Sequence, residues 1–517
     1  MHRLYHLNHR HTPFSPHRLL RLKSNRLDNV PVHYRCIVVC AQIRWLEQPM
    51  FHQVTPLLPD QHYGFNGEKL VHTPVLDELA ENGVQFTNAS VTAPVCSTAR
   101  SALITGMYQT SIGAHHHRSG RGAAKINIPN HIKLIPELFQ DAGYYTCLGS
   151  SGHAAGTVSP KHKNRLGKSD YNFEWNPGVF DTPEWSDRKE GQPFFAKICL
   201  SGGKARSQAR ASKDIPHVDA SKVVLPPYYP RHPVVLEDWA AYLDTFNLMD
   251  FQVGQIVDRL KEEGEFENTI IFFITDHGVS HARGKQFCYD EGMMIPFFVH
   301  APNRVKGGTL RKDPVLHIDL AATSLYFAGI EIPMYMEART LFGPNAVKRK
   351  FAVSARDRCD ETYDRIRAVR SLEYKYIRNG YPARPQLQPC AYKDNKEIYI
   401  AIRDWGEKGK LNQVQQELLL SPKRAKEELF DLKNDPWELK NLADDPSHTK
   451  ILKKMRKTLD QWILETGDLG QNVEPMKMYD SDMKVYLDGL ANRGRGDRLE
   501  EIKSNIAQMK KWWKEGK

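Results

Sequence analysis

The chain of 517 residues is long enough for one large domain and a smaller one, because single cores rarely exceed roughly 300 residues. Its composition, 40% hydrophobic and 26% charged, is typical of globular proteins, and no apolar run of about 18 residues predicts a membrane span. The formal charge of +11 is concentrated in residues 1–56, which hold eight Lys or Arg against two acids, so a nucleic-acid-binding surface is not indicated for the rest.

Residues 1–56 differ in character from the rest of the chain. They are rich in His, Arg and Pro, and no apolar stretch of about 7–15 residues follows the basic start, so no signal peptide is readable. We consider three interpretations: a disordered basic arm, a nucleic-acid-binding tail, or a spurious extension that is not part of the natural protein. The short piece RCIVVCAQIRWL is a candidate buried strand.

Helix and strand signals alternate from about residue 60. The helix candidates are TPVLDELAENG, LIPELFQDAG and the segment Glu237–Glu263; the strand candidates are VQFTNAS, YYTCL, PFFAKICL and TIIFFIT. MMIPFFVHA and HIDLAATSLYFAGI are further helix and strand candidates. TIIFFIT carries no charge, as expected of a strand covered on both faces in a parallel sheet. This alternation predicts an α/β sandwich with a large, mixed but mostly parallel sheet flanked by helices.

Two places in this α/β region have the character of a functional site. TIIFFIT leads directly into Asp276 and His277, and ligands of open α/β sheets bind beyond the carboxyl ends of the strands. In APVCSTARSALITGMY, Cys96 stands at the predicted start of a helix, where backbone N–H groups and the helix dipole favour an anion.

The last third of the chain consists of shorter, more charged segments. RIRAVRSLEYKYIRN, KEIYIAIRDW and EELFDLKNDPWELKNLA read as strands of a smaller α+β domain with an antiparallel sheet, and LEEIKSNIAQMKKWWKEGK reads as a terminal helix packed on the body. The acids of RDRCDETYDR are interpreted as ion-pairing groups at the domain boundary, with sugar recognition as the alternative; they are Asp357, Asp360, Glu361 and Asp364.

The motifs together resemble a known family. HTPVLDELAENGVQFTNA, PVCSTARSALITGMYQTSIGAHHHRS, GKSDYNF, TDHG, RGK and ELFDLKNDPWELKNLA occur in the order found in type I sulfatases, and are most similar to the bacterial branch related to heparan N-sulfatase (sulfamidase). The resemblance spans roughly residues 60–470. It implies the alkaline-phosphatase fold, with a catalytic domain at 57–355, a C-terminal subdomain at 356–470 and a helical tail at 471–517.

The resemblance also implies the chemistry. Cys96 would be converted to formylglycine (3-oxoalanine) by a formylglycine-generating or equivalent maturation enzyme, and Arg100 would orient it. One hydroxyl of the hydrated aldehyde attacks sulfur and the other later expels sulfate. A divalent metal, expected to be Ca²⁺ with Mg²⁺ as the alternative, would be held by Asp276 and by His277, which replaces the asparagine of many relatives and could instead orient sulfate.

Further site residues are carried over from the same resemblance. Lys285 and Lys168 match lysines that hold the sulfate oxygens, although Asp170 replaces the histidine usual two residues after the latter. Lys204 and His281 are candidates for protonating the leaving group, the former also as a sulfate clamp. His115, His116 and His117 are candidate substrate contacts, with a solvated loop as the alternative.

Two departures from the family pattern stand out. The acid pair that relatives place after their first strand aligns with Leu57 and Leu58, and Asp60 is out of register, which suggests that the original first strand has been replaced, for example through a wrongly assigned start or reading frame. Thr98 occupies a position that is commonly proline in the sequence read by the maturation enzyme.

The leading hypothesis is a hydrolase of sulfate esters or sulfamates on glycosaminoglycan-like carbohydrates. The alternatives are a phosphonate or phosphate ester hydrolase of the same superfamily and a catalytically impaired protein that binds sulfated glycans. A periplasmic or secreted location is implied by the family alone.

Overall fold

Two large β-sheets and one two-stranded sheet organise the described part of the chain, which in this computed structural model comprises residues 35–41, 64, 69–201, 205–494 and 496–517. The strands are β1 (Arg35–Ala41), β2 (Val84–Phe86), β3 (Ala89–Ser90), β4 (Tyr145–Ser150), β5 (Phe194–Leu200), β6 (Thr269–Thr275), β7 (Phe297–His300), β8 (Thr309–Arg311), β9 (Val315–Leu316), β10 (Ala352–Arg356), β11 (Ile366–Arg370), β12 (Tyr374–Asn379) and β13 (Glu427–Asp431).

The α-helices lie between and after these strands. They are α1 (Pro74–Glu81), α2 (Cys96–Thr105), α3 (Ile135–Asp141), α4 (Ser151–Ala154), α5 (Arg206–Ala211), α6 (Pro233–Glu262), α7 (Asp290–Met293), α8 (Asp319–Ala328), α9 (Ala391–Asp394), α10 (Glu397–Glu407), α11 (Gln413–Leu420), α12 (Thr449–Thr466), α13 (Met476–Ala491) and α14 (Leu499–Lys514). No helix among the described residues combines the length and apolarity needed to span a bilayer.

The larger sheet has seven strands in the order β4-β5-β1-β6-β7-β2-β8. The four strands from β4 to β6 are parallel, and β7 runs antiparallel to both of its neighbours. Strands β5 and β6 are buried at every position, which agrees with their unbroken apolar sequences. The prediction of a mixed, mostly parallel sheet flanked by helices is therefore confirmed.

Strand β1 lies at the centre of this sheet. It pairs in parallel with β5 on one side and β6 on the other, and Ile37 and Val39 are completely buried. The candidate strand in RCIVVCAQIRWL is thus present, and Arg35–Ala41 forms part of the sheet core although it falls within the atypical segment 1–56. The sequence around it does not indicate this role, because the pairing partners lie more than 150 residues away.

The second sheet contains β10, β11, β12 and β13, all antiparallel, as predicted for the last third of the chain. It begins at Ala352, slightly before the expected boundary at 356, and residues 35–517 fall within one compact unit. The prediction of a strand for KEIYIAIRDW is wrong. These residues form α10, whose apolar side chains at Ile398, Tyr399 and Ile402 face the core with helical spacing while Ile400 is exposed.

The terminal helix candidate is confirmed as α14. Its buried residues Ile502 and Met509 pack in clusters shared with α9 and α13. The apolar face of α14 is thus covered by the protein, as predicted for a terminal helix packed on the body.

Candidate active site

The site is built where the carboxyl ends of the central strands meet the start of α2. In the sheet register Ala41 of β1 lies beside Leu200 of β5 and Thr275 of β6, and Asp276 and His277 follow immediately. Cys96 is the first residue of α2 and is 4% exposed. The predicted helix start at Cys96 and the delivery of Asp276 to the strand edge are both present.

Two cationic or proton-accepting groups contact the Cys96 sulfur directly. The Lys285 Nζ lies 3.3 Å from Sγ, and the His277 Nε2 lies 3.0 Å from it. The loop carrying Lys285 is tight, because a Cβ at Gly284 would collide with the Val279 carbonyl oxygen. The loop is also tied to the chain before α2 by a hydrogen bond from Gln286 N to Pro94 O of 3.0 Å. Lys285 therefore has a fixed position opposite residue 96.

The electrostatic environment of residue 96 favours an anion. Burial by itself raises the pKa of the Cys96 thiol, but the charges of Lys285 and Lys168 and the contact with His277 outweigh burial and bring the pKa well below its ordinary value. The same interaction raises the pKa of Lys285, although burial of its ammonium group opposes the shift. This position stabilises negative charge on the side chain of residue 96 and on an oxyanion that approaches it.

The orientation of His277 defines which ring nitrogen faces residue 96. Its Nδ1 lies 2.7 Å from the carbonyl oxygen of Gly278, which can only accept a hydrogen bond, so Nδ1 carries a proton. In the neutral ring, Nε2 is then an acceptor directed at Cys96. His277 is thus placed to receive a proton from a group at position 96.

Arg100 contacts Asp276, and its expected role in orienting residue 96 stays a prediction. It is fully buried, and its Nε and Nη2 both lie 2.9 Å from Oδ2 of Asp276. Its Nε is also 3.4 Å from Asp170, and its Nη1 donates to the Lys168 carbonyl oxygen at 3.4 Å. These contacts orient Asp276 and connect it to the 168–170 turn.

Asp276 has one oxygen available to a cation. Oδ2 is used by Arg100, whereas Oδ1 is buried and accepts no hydrogen bond within the described residues. Donor atoms of Cys96, Asp276 and His277 lie within 4.8 Å of one another, so these three could approach a single ion.

This donor set does not match a hard cation. Ca²⁺ takes six to eight oxygen ligands, and the described part of the cluster offers one carboxylate oxygen, which lies 3.6 Å from His277 Nε2, one imidazole and one sulfur. The end of β1 lies beside the end of β6, from which Asp276 follows. After Ala41, the last residue of β1, the sequence continues with Gln42 and Ile43 and not with a pair of acids. Leu57 and Leu58, with which that acid pair was expected to align, and the nearby Asp60 lie outside the described residues.

The three consecutive histidines are buried rather than exposed in a loop. The rings of His115 and His116 are in contact, with centroids 4.2 Å apart and planes inclined by 52°, and burial lowers the pKa of both. His116 Nδ1 accepts a hydrogen bond from Arg358 N, and His117 Nδ1 lies 3.1 Å from Asp360. They connect the α2 region to the C-terminal sheet, and a substrate contact stays a prediction.

His281 belongs to a separate cluster. Its Nε2 lies 2.7 Å from Asp238 and 2.6 Å from Arg206, and its ring stacks on Trp239 at 4.3 Å. A role in leaving-group protonation therefore stays a prediction, as does that of Lys204, which lies outside the described residues.

Three of the acids of RDRCDETYDR take part in ion pairs, and Asp360 joins this segment to the three histidines. Asp357 and Asp364 do form buried ion pairs, with Arg367 and with Arg356 and Arg424, as interpreted. Asp360 instead pairs with His117 and with Arg118 Nη1 at 3.2 Å, and these partners together with Lys285 contribute to its lowered pKa although burial raises it. No sequence signal joins position 360 to the HHHR segment.

Backbone strain is concentrated around these residues. Among the described residues five non-glycine residues have positive φ, and three of them are Arg118 (58°), Gln286 (84°) and Asp360 (51°). Arg118 pairs with Asp360, and the Gln286 amide donates to Cys359 Sγ at 3.1 Å. Such conformations persist where the surrounding contacts demand them, which is common at functional sites.

Comparison with known proteins identifies similar sequences and folds. The family model described as Sulfatase matches residues 57–330. An ulvan-active sulfatase of Formosa agariphila is 31% identical over 449 residues, covering 78% of this chain and 72% of that protein. The N-sulphoglucosamine sulphohydrolase of Homo sapiens is 23% identical, covering 78% of this chain and 88% of that protein.

Solved structures show the same fold. One is the structure of a protein in complex with its substrate D-glucosamine-2-N,6-O-disulfate, with a TM-score of 0.58, 15% identity, and coverage of 84% of this chain and 98% of that one. Another is the phosphonate monoester hydrolase of Agrobacterium radiobacter, with a TM-score of 0.54, 14% identity, and coverage of 84% and 96%. These likenesses confirm the expected alkaline-phosphatase-like architecture.

Proposed function

The chain belongs to the sulfatase family, and we propose that it hydrolyses the sulfate ester or sulfamate of a carbohydrate after conversion of Cys96 to formylglycine. The observation that carries this proposal is the arrangement around residue 96, which begins α2 and contacts both Lys285 and His277. A side chain at this position is surrounded by positive charge and faces a proton acceptor, as attack on a sulfate group requires.

The surroundings of Cys96 suit the modified side chain. Oxygens of a hydrated aldehyde near the present sulfur position would meet the Lys285 ammonium as a donor and the His277 Nε2 as an acceptor. The hydrate supplies one hydroxyl that attacks sulfur and a second whose deprotonation releases sulfate as the aldehyde is regenerated. Thr98, in the position that is commonly proline, donates its hydroxyl to the Val95 carbonyl at 2.7 Å and is accommodated in the first turn of α2.

The neighbouring residues have separate roles in this reaction. His277 Nε2 receives the proton lost from the attacking hydroxyl, because its Nδ1 is already committed to Gly278 O. Lys285 neutralises charge on the sulfate oxygens, and Lys168 adds a second cation that also acts on residue 96. Arg100 acts through Asp276 as a positioning residue. Protonation of the leaving oxygen is assigned to Lys204 or His281.

The family generally uses a divalent metal, and Asp276 Oδ1 is its natural ligand here. The donor set of the described residues does not fit Ca²⁺, so the roles above are derived without a metal. Positive charge at the site comes from Arg100, Lys168 and Lys285.

The substrate class is inferred from the relatives. Proteins similar to this chain are described as acting on ulvan or on N-sulphoglucosamine, which supports a sulfated polysaccharide or its fragments. By the same family resemblance we place the protein in the periplasm or outside the cell, with a formylglycine-generating enzyme as its maturation partner.

The test compares converted and unconverted protein. The chain is produced with and without a maturation enzyme, and mass spectrometry of the Cys96 peptide measures loss of sulfur and gain of an aldehyde. Sulfate release is then measured on heparan-, chondroitin- and ulvan-type oligosaccharides. We expect release only from converted protein, abolished in Cys96→Ala and retained in Cys147→Ala, which removes another buried thiol.

The same experiment decides between the alternatives. Faster hydrolysis of a phosphonate monoester than of every sulfated substrate would favour the phosphonate hydrolase. Binding of sulfated oligosaccharides without turnover by fully converted protein would favour the impaired glycan-binding protein. Absence of conversion in the presence of the maturation enzyme would overturn the proposed reaction.

A further inference from the structure

A cavity of about 680 Å³ lies beside the catalytic cluster, between two segments of the chain. One wall is the segment 119–125 and the other is the segment 165–175. The lining includes Arg121, Lys125, Arg165, Lys168, Asp170 and Trp175. Its volume is in the range of sites that bind small molecules.

The cavity shares residues with the cluster around Cys96. Lys168 and Asp170 line it, and Arg100 contacts the carbonyl oxygen of the former and the carboxylate of the latter. Lys168 also acts electrostatically on Cys96. A ligand in this cavity is therefore adjacent to a group held at residue 96.

The charges of the lining are not balanced. Lys125 pairs with Glu174 at 3.1 Å and Lys168 pairs with Asp170 at 3.4 Å. Arg121 and Arg165 are exposed, and neither guanidinium forms an ion pair with the described residues. Two guanidinium groups thus remain available to an anion, and their planar donor pattern matches carboxylate and sulfate oxygens.

The lining is mainly polar, and its aromatic surface comes from the partly exposed Trp175, behind which two further aromatic rings are packed. Tyr171 and Phe173 are buried with parallel rings 5.9 Å apart, and the half-buried Trp175 meets Tyr171 edge-on at 5.1 Å. An aromatic surface beside a few fixed polar groups is the usual composition of a site for a small organic ligand. The combination favours a molecule with both a non-polar ring face and negative charges.

The two walls are held in place by the rest of the fold. Glu174 N donates to Ile126 O at 2.8 Å, which joins them to each other. Helix α13 supports the first wall, since Ala124 N donates to Ser481 Oγ at 3.1 Å and Arg121 N to Asp482 at 3.2 Å. A Cβ at Gly122 would collide with Ser481, so this contact is close. The site is preformed, which limits the entropy lost on binding.

We propose that this cavity binds an anionic sugar unit, sulfated or bearing a uronic carboxylate, next to the sugar that carries the reacting sulfate. Arg121 and Arg165 bind its anionic groups, and Trp175 contacts its ring. The proposal rests on the function proposed above, and it predicts a preference for charged oligosaccharides over isolated sulfated monosaccharides.

The test compares two substrates in the converted enzyme. Arg121→Gln and Arg165→Gln are assayed on a heparin-type sulfated tetrasaccharide and on 4-nitrophenyl sulfate, which has no second sugar. We expect each variant to raise KM for the tetrasaccharide about three- to tenfold, with kcat and the rate on the aryl sulfate within about twofold of wild type. Lys348→Gln, which removes an exposed positive charge outside this cavity, serves as the control.

A binding measurement separates failure of this proposal from failure of the proposed function. Calorimetry with unconverted protein, which cannot turn over, measures affinity for the same tetrasaccharide. Loss of affinity in both arginine variants supports the site even if no sulfate is released by the converted enzyme. An unchanged affinity and KM in both arginine variants, or no binding by the wild type, would overturn it.

Discussion

Replacing Lys285 by methionine removes the positive charge nearest to residue 96 while keeping a side chain of similar length. The Nζ lies 3.3 Å from the Cys96 sulfur and Lys285 is 2% exposed, so water does not replace its charge readily. Two unit charges at this distance interact by about 5 kcal/mol at an effective dielectric constant of about 20. Because removal of one preorganised donor at a developing oxyanion usually costs about 100- to 1000-fold, we expect kcat/KM to fall within that range.

The assay is sulfate release by converted protein under conditions far below KM. A second measurement uses unconverted protein, in which alkylation of Cys96 by iodoacetamide is followed by mass spectrometry as a function of pH. Since Lys285 helps to lower the pKa of this thiol against the effect of burial, Lys285→Met should shift the alkylation profile to higher pH. A purely structural role of the lysine would not produce this shift.

Lys396 provides a matched control. Its ammonium lies 4.4 Å from the centre of the Tyr392 ring, and that of Lys285 lies 4.3 Å from the same ring. Lys396→Met therefore removes a charge from the same aromatic neighbour, and its hydrogen bonds go to Ser280 rather than to residue 96. Equal losses of activity in both variants, or an unchanged alkylation profile in Lys285→Met, would refute the assignment of Lys285.

Three further predictions follow from the fold and the charges. Ile37→Ala in the central strand should lower the free energy of unfolding, measured by urea titration, by about 2–5 kcal/mol. The control Leu310→Ala, at an exposed position, should lower it by less than about 0.5 kcal/mol. Equal effects would contradict the central position of β1. Burial raises the pKa of Asp250 to about 7. The stability that the protonated carboxyl group contributes is therefore fully present below about pH 4 and is lost as the pH rises through 7. Asp250→Asn should therefore gain stability over wild type between pH 5 and 8, unlike the exposed Asp258→Asn on the same helix, and a constant difference across pH would count against this reasoning. Addition of about 1 mM Ca²⁺ should raise Tm by less than about 1 °C, as for a Kd of about 1 mM or weaker, whereas a rise of several degrees would show a complete cation site.

Local patterns predicted much of the fold correctly. TIIFFIT coincides with β6, because five consecutive apolar residues between two threonines, with no charge, suit a short strand covered on both faces. The start of α2 at Cys96 and the position of Asp276 at the end of β6 were also readable, since each depends on the residues next to it in the chain. KEIYIAIRDW was misread because its charged and apolar residues alternate in part as in a strand, and only burial distinguishes the helical face.

The sequence by itself determined the α/β class, the family motifs and the residue types available for chemistry. The tertiary structure alone decided which of them meet. Asp360 pairs with Arg118, more than 240 residues away in the chain, and Arg100 pairs with Asp276. Strand β1 lies between β5 and β6. The physical reason is that turns and helix starts are governed by neighbouring residues, whereas strand order and ion pairing depend on contacts between distant segments that no local pattern encodes.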